Sequence, residues 1–138
     1  EGRSGSTDQK KRGLGAGKIN GPGGRIEEGE TPMQCAIRET QEELKITPLN
    51  VVARGELRFH SEDFPKIHGY VFVATDYQGT ATETEEAIPL WTPVDEIPYE
   101  EMWEDDIYWL PQVLSGKGVD GRFVFQGEDL LDWQVNSV

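Results

Sequence analysis

With 138 residues, one cysteine and runs of apolar side chains no longer than Tyr70-Val71-Phe72-Val73-Ala74, the chain has the length of a single domain with one core. It lacks an internal disulfide, a signal peptide and the roughly 20-residue apolar stretch that crosses a bilayer, so a reduced, cytoplasmic protein with no membrane partner is expected. Lys plus Arg at 13 against Asp plus Glu at 26 gives a formal charge of -13, which argues against nucleic acid polymers and requires a metal ion to bridge the protein to any small anionic ligand.

Residues 1–9 read as a flexible arm or a cloning remnant, because Glu1 to Gly13 holds no apolar side chain. One α/β domain is expected over 10–138. Gly13, Gly15, Gly17, Gly21, Gly23, Gly24 and Gly29 crowd the segment up to Glu30, where glycine lets the backbone approach a ligand closely. Thr31 then caps a helix running to about Lys45, with Pro32 in the first helical position and Gln34 completing a capping box.

Val51 to Phe59 and Tyr70 to Asp76 are β-branched and aromatic, and are expected to pair as a hairpin across a long loop. Leu90-Trp91 begins a short strand. Tyr99 to Leu114 has apolar residues at helical spacing, and Pro111 should kink or shorten that helix. Arg122 to Gln126 and Leu130 to Val135 flank a Gly127-Glu128-Asp129 turn and close the chain as a hairpin.

On a helical wheel stepping about 100° per residue, Ile37, Thr40 and Leu44 fall within about 40° of Met33 and define a buried stripe. Glu39, Glu42 and Glu43 share the far side, as like-charge pairs three and four residues apart. Three glutamates on an exposed face are ordinarily just solvated. A hard divalent cation, Mg²⁺ or equally Mn²⁺, would compensate them through oxygen ligands.

The upstream loop adds a second signal. From Gly24, five residues lead to Glu30 and seven more to Arg38-Glu39-Thr40-Gln41-Glu42-Glu43-Leu44-Lys45-Ile46. This resembles the Nudix hydrolase pattern G-x5-E-x7-R-E-U-x-E-E-x-G-U, with U a bulky aliphatic residue. Gly24, Glu30, Arg38, Glu39, Glu42, Glu43 and Ile46 match; Thr40 replaces an aliphatic residue and Lys45 a glycine. Thr40 can return its hydroxyl to the Ala36 carbonyl. Lys45 bears a backbone penalty of about 1 kcal/mol if the chain leaves the helix left-handed.

The resemblance implies a Nudix-type α/β/α sandwich with a mixed β-sheet, and metal held by Glu39, Glu42, Glu43 and the Gly23 carbonyl. It further implies that Glu30 sits in the loop and pairs with Arg38, and that a distant carboxylate assists, for which Glu86 is the candidate and Glu85 the alternative. The implied chemistry is attack of a metal-activated water on phosphorus.

Nearly the whole chain from Lys10 is similar to the MutT-like subgroup that hydrolyses oxidised purine nucleoside triphosphates such as 8-oxo-dGTP, the sanitisers of the nucleotide pool. The matching phrases are Lys10-Lys11-Arg12-Gly13-Leu14-Gly15-Ala16-Gly17, Asn20-Gly21, Met102-Trp103-Glu104-Asp105-Asp106-Ile107-Tyr108-Trp109 and Phe125-Gln126-Gly127. That likeness implies that Asn20, Asp105 and Asp106 read the purine edge while Trp103 stacks on the ring. Phe59 and His68 would line the same pocket, with Lys10 nearby. Acids in the first turn of a helix also favour its dipole, which is the plain alternative for Asp105 and Asp106.

Leu14 and Ile19 stand where the animal enzyme has aromatic residues. The subgroup also needs an apolar N-terminal strand that Glu1 to Gln9 does not supply, so that strand is expected to be absent or incomplete. A bare sheet edge would leave a monomer or a strand-exchanged dimer. The expected activity is cleavage of a purine nucleoside triphosphate, oxidised at the base, to monophosphate and pyrophosphate. The alternatives are a Nudix hydrolase of another diphosphate-linked substrate and a catalytically silent nucleotide-binding domain.

Overall fold

In the computed structural model, which describes residues 4–10, 18–85 and 87–138, with backbone alone at 4–10 and 19–20, the helix signal at Thr31 is realised in full. In chain order the elements are β1 (Ser4–Lys10), β2 (Ile19–Asn20), α1 (Pro32–Leu44), β3 (Ile46–Leu49), β4 (Val52–Ser61), β5 (Ile67–Val73), β6 (Asp76–Gly79), β7 (Ala87–Pro93), α2 (Asp106–Leu114), β8 (Val119–Gln126) and β9 (Asp129–Ser137). They fall into two compact units, Glu1–Val51 with Ala74–Met102, and Val52–Val73 with Trp103–Val138. Among the described residues no helix is long and apolar enough to cross a membrane.

In the first unit, Thr31 and Gln34 exchange the two bonds of the capping box: Gln34 N–H donates to Thr31 Oγ1 at 3.1 Å and Thr31 N–H to Gln34 Oε1 at 2.9 Å. The Thr40 hydroxyl donates to the Ala36 carbonyl at 2.7 Å, so a buried threonine fills the aliphatic position without an unpaired oxygen. Lys45 leaves the helix left-handed, at φ 62° and ψ 28°, and its N–H closes the last turn on the Gln41 carbonyl.

Thr40 and Leu44 are buried as the wheel requires, but Met33 is 37% exposed and Cys35 is buried in its place. The cause is a second covering. The glycine loop lies over Cys35, whose thiol donates to the Gly24 carbonyl at 3.7 Å, whereas a wheel treats every face away from the sheet as solvent.

Strand β1 pairs antiparallel with β7 from Ser4↔Pro93 to Lys10↔Ala87, and β2 joins it at Asp8 and Gln9. A strand therefore stands where residues 1–9 led us to expect an arm and an absent or incomplete strand. The ladder is made by backbone N–H and C=O groups, so a polar sequence can form it.

The β3–β6 pair, in register from Ile46↔Gly79 to Leu49↔Asp76, has no counterpart in the sequence reading. Each partner has four residues, one containing Pro48 and the other mostly polar, so neither carries a period-2 signal. Leu44, Ile46 and Ala87 form the core of this unit, with Ala81 packed against them.

The second unit is a four-stranded sheet in the order β5-β4-β8-β9. Strands β4 and β8 are parallel and the outer pairs antiparallel, which makes the sheet mixed. Alternation along β8 buries Val119, Gly121, Phe123 and Phe125 and turns Asp120, Arg122 and Gln126 outward. Leu57 and Val113 complete the core. In the β8–β9 hairpin Gly127 takes φ +59°, the positive-φ first position of a II′ turn.

The helix expected over Tyr99 to Leu114 divides. Tyr99–Glu101 is a single 3₁₀ turn, Met102 is extended and buried, and α2 begins only at Asp106, with Pro111 inside it. Met102 and Val113 are both buried, so helical periodicity of the apolar residues runs across the break.

Two stability outcomes follow. Phe123→Ala removes a ring with 0% exposure from the second core and should cost about 3–5 kcal/mol in urea unfolding. Lys45→Gly relieves the left-handed strain and should raise stability by about 0.5–1 kcal/mol in the same measurement.

Candidate active site

The glycine loop and α1 are joined by one guanidinium. Arg38 Nε donates to Glu30 Oε2 at 2.7 Å and Nη2 to Glu30 Oε1 at 3.0 Å, a two-pronged pairing that matches guanidinium to carboxylate geometry. Nη1 turns to the helix glutamates, at 2.7 Å from Glu39 Oε1 and 3.1 Å from Glu42 Oε2. Nη2 also reaches the Arg25 carbonyl at 3.1 Å, and Glu27 lies 3.2 Å from Nε. The like-charge strain among the glutamates is thus offset first by Arg38.

The Arg38 hydrogen bonds, aided by the Glu27 N–H, hold the Glu30 carboxyl at about 2 instead of its ordinary 4.5. The same bonds push the Arg38 guanidinium above its usual value. Burial raises the Cys35 thiol, with the Glu30 charge adding to it, so Cys35 is inert packing beneath the loop.

Glu43 faces the loop as well: the Gly23 N–H donates to its Oε2 at 2.9 Å. The Glu39 carboxylate packs directly against Gly24, so a Cβ on Gly24 would collide with it. That close approach is the reason the pattern needs glycine there. Thr84 seats the acidic loop at the end of the helix, its hydroxyl donating to the Glu43 carbonyl at 2.8 Å. Glu85, in that loop, is exposed. Glu86 lies outside the described residues, as do the side chains of Lys10 and Asn20.

Among the described residues no three His, Cys, Asp or Glu side chains close around a point as a ready metal cage. The donors still suit a hard divalent ion. Glu39 and Glu43 bring carboxylate oxygens to the backbone at Gly23 and Gly24, and Mg²⁺ characteristically takes one or two carboxylates and fills its other positions with water and phosphate.

The second unit holds the remaining residues. Asp105 and Asp106 are 3% and 9% exposed. Asp105 makes no cap bond to the helix; its Oδ2 accepts from Trp109 Nε1 at 2.8 Å. These are not solvated acids at a helix start. Burial raises both carboxyls, and the neighbouring Asp105 charge raises Asp106 further. Trp103 meets Phe125 edge to face at 5.7 Å, and Phe59 stacks on Phe123 at 5.4 Å and lies 6.4 Å from Phe125.

His68 does not join Phe59. It is the register partner of Arg58, on the opposite face of the β4–β5 pair from Leu57 and Phe59, where it pairs with Glu56 at 2.9 Å and stacks on Tyr70 at 4.6 Å. Trp109 and Thr84 escaped the sequence reading, although Trp109 stands four residues after Asp105, the spacing at which helical side chains meet.

A match to the NUDIX domain family spans residues 5–113. The chain belongs to the Nudix family. It is 41% identical over 125 residues to an oxidized purine nucleoside triphosphate hydrolase of Danio rerio, covering 88% of this chain and 79% of that one. It is 40% identical over 131 residues to the Mus musculus protein of the same description, covering 94% and 84%. The crystal structure of mMutator MutT protein from Bacillus halodurans superposes with a TM-score of 0.84 at 25% identity, covering 95% of this chain and 88% of the other. This Nudix chain is accordingly a mixed α/β hydrolase acting on phosphorus-containing anhydrides, and Nudix hydrolases generally use divalent cations.

In this Nudix chain the Glu30 pairing should be directly visible by carboxyl NMR. Glu30 should remain ionised down to about 2 and return toward 4.5 in Arg38→Ala. Because its carboxyl is depressed in the folded state, the stabilisation is complete above about pH 4.5 and is lost as pH falls toward about 2. Melting temperature of the Arg38→Ala variant should therefore respond less to acid than that of the parent.

Proposed function

We propose that this protein is a divalent-metal-dependent pyrophosphohydrolase that converts a purine nucleoside triphosphate with an oxidised base to monophosphate and pyrophosphate, in the cytoplasmic nucleotide pool. The observation that carries the reading is the Arg38-centred junction of glycine loop and α1, which sets Glu39 and Glu43 against the Gly23–Gly24 backbone. The named relatives, oxidized purine nucleoside triphosphate hydrolases, support the substrate class.

Glu39, Glu42, Glu43 and the Gly23 carbonyl would hold Mg²⁺, or Mn²⁺ in its place, with Glu86 as a further carboxylate. The ion, when bound, supplies charge neutralisation at the phosphates and a more acidic water. Arg38 and Glu30 act as positioning residues: their fork fixes the loop backbone relative to the helix carboxylates. The Gly23 N–H keeps the Glu43 carboxylate turned toward the loop.

For the base, Asp105 and Asp106 supply donors and acceptors, and Trp103 with Phe59 supplies aromatic surface. A buried aspartate pair sharing a proton can both donate and accept, which suits a purine edge whose donors and acceptors oxidation has rearranged.

With Mg²⁺ and a panel of nucleoside triphosphates, pyrophosphate release should be fastest for purines oxidised at the base and should stop on chelation. Glu43→Gln should lower kcat by about a hundredfold or more. Absence of turnover for every nucleotide, with Glu43→Gln indistinguishable from the parent in metal binding, would remove the proposal.

A further inference from the structure

Three aromatic rings of the second unit meet around Phe125: Trp103 approaches it edge to face at 5.7 Å, and Phe59 lies 6.4 Å away. They come from three separate segments, the end of β4, the stretch before α2 and the end of β8. Ring contacts alone hold such segments loosely, because aromatic pairs accept a range of offsets and tilts. A hydrogen bond beside each ring is directional and fixes them better.

Two such bonds converge on the tip of the β8–β9 hairpin. Asp63, four residues past Phe59, accepts the Gly127 N–H through Oδ2 at 2.6 Å. Glu104, next to Trp103, accepts the Leu130 N–H through Oε1 at 2.6 Å. Both are short, as bonds to an ionised acceptor are. Leu130 is the register partner of Phe125 across the hairpin, and Gly127 follows Phe125 by two residues, so the clasped groups flank that ring. Asp63 is itself held, since its N–H donates to Ser61 Oγ at 3.0 Å and Phe64 beside it packs against the core. Both carboxylates are exposed. They fill no core space; what they fix is where the hairpin tip sits.

We propose that Asp63 and Glu104 are positioning residues for base binding, which clasp the hairpin tip from two segments and hold the Phe59, Phe125 and Trp103 rings at one spacing. A planar base then bears on rings whose separation is set in advance, and less ordering is required when it binds. Asp63 and Glu104 belong to the second unit and the glutamate helix to the first, so the clasp acts on the base and not on the phosphates. The ligand side of this inference rests on the nucleotide reading above; the clasp itself does not.

The first measurement is amide hydrogen exchange by NMR on the full chain without nucleotide. The Gly127 and Leu130 N–H groups should be protected in the parent; Asp63→Ala should release Gly127, and Glu104→Ala should release Leu130. The second is turnover with Mg²⁺ and an oxidised purine triphosphate. Each alanine variant should raise KM by about threefold, the scale of one exposed hydrogen bond. The double variant should raise it by more than about tenfold, because either bond alone still holds the shared tip.

In all three variants kcat should stay within about twofold of the parent, and inhibition by the purine monophosphate should weaken in step with KM while inhibition by pyrophosphate does not. Glu104→Gln and Asp63→Asn keep an acceptor oxygen and should restore most of the affinity. Unprotected Gly127 and Leu130 amides in the parent would overturn the inference, and that measurement needs no variant to fold. A fall in kcat with KM unchanged, or a folded double variant with the KM of the parent, would overturn it as well. If no nucleotide is turned over, the proposed function fails, while nuclear Overhauser contacts between Trp103 and Phe125, kept in the parent and lost in the double variant, still decide whether the clasp sets the ring spacing.

Discussion

The Arg38 guanidinium is the interaction on which the first unit depends. A chain with twice as many acidic as basic side chains gathers Glu27, Glu30, Glu39 and Glu42 around one cation. A single exposed ion pair would contribute little. Here the cation has two short bonds to one half-buried carboxylate, further bonds to the helix glutamates and one to a backbone carbonyl, so geometry is fixed as well as charge. Lysine would not reproduce it, because an ammonium has no planar fork. The glycines on either side serve the same junction, since Gly24 leaves room for the Glu39 carboxylate.

What was legible in the sequence was what local chemistry decides. Thr31, Pro32 and Gln34 mark the helix start by hydrogen bonds within four residues, and the Thr40 hydroxyl needs only its own helix. The Gly24 to Ile46 spacing disclosed the Glu30–Arg38 pairing because loop and helix adjoin in sequence. The tail hairpin was visible for the same reason.

Misreadings arose where one segment's environment is supplied by another. Cys35 is buried by a loop that the wheel cannot see. The β3–β6 pairing joins short segments roughly thirty residues apart in sequence, each too polar or too short to announce itself. The face taken by His68 depends on β5 starting at Ile67 and on its register with Arg58; a strand read from Tyr70 leaves that histidine in a loop with no face at all. Single-residue register decides which side of a sheet a side chain occupies.

The carboxyls also give the two units opposite characters toward protons. In the first, Glu30 favours the ionised state and its support weakens in acid. In the second, Asp105 and Asp106 are raised by burial, so the folded state holds protons that the unfolded chain would release near the ordinary aspartate range. That contribution is complete in acid and diminishes as pH rises through the elevated values. The fold is thus bounded on both flanks by its own carboxyls: acid loosens the loop junction, alkali charges the aspartate pair, and the neutral range is where both are satisfied together.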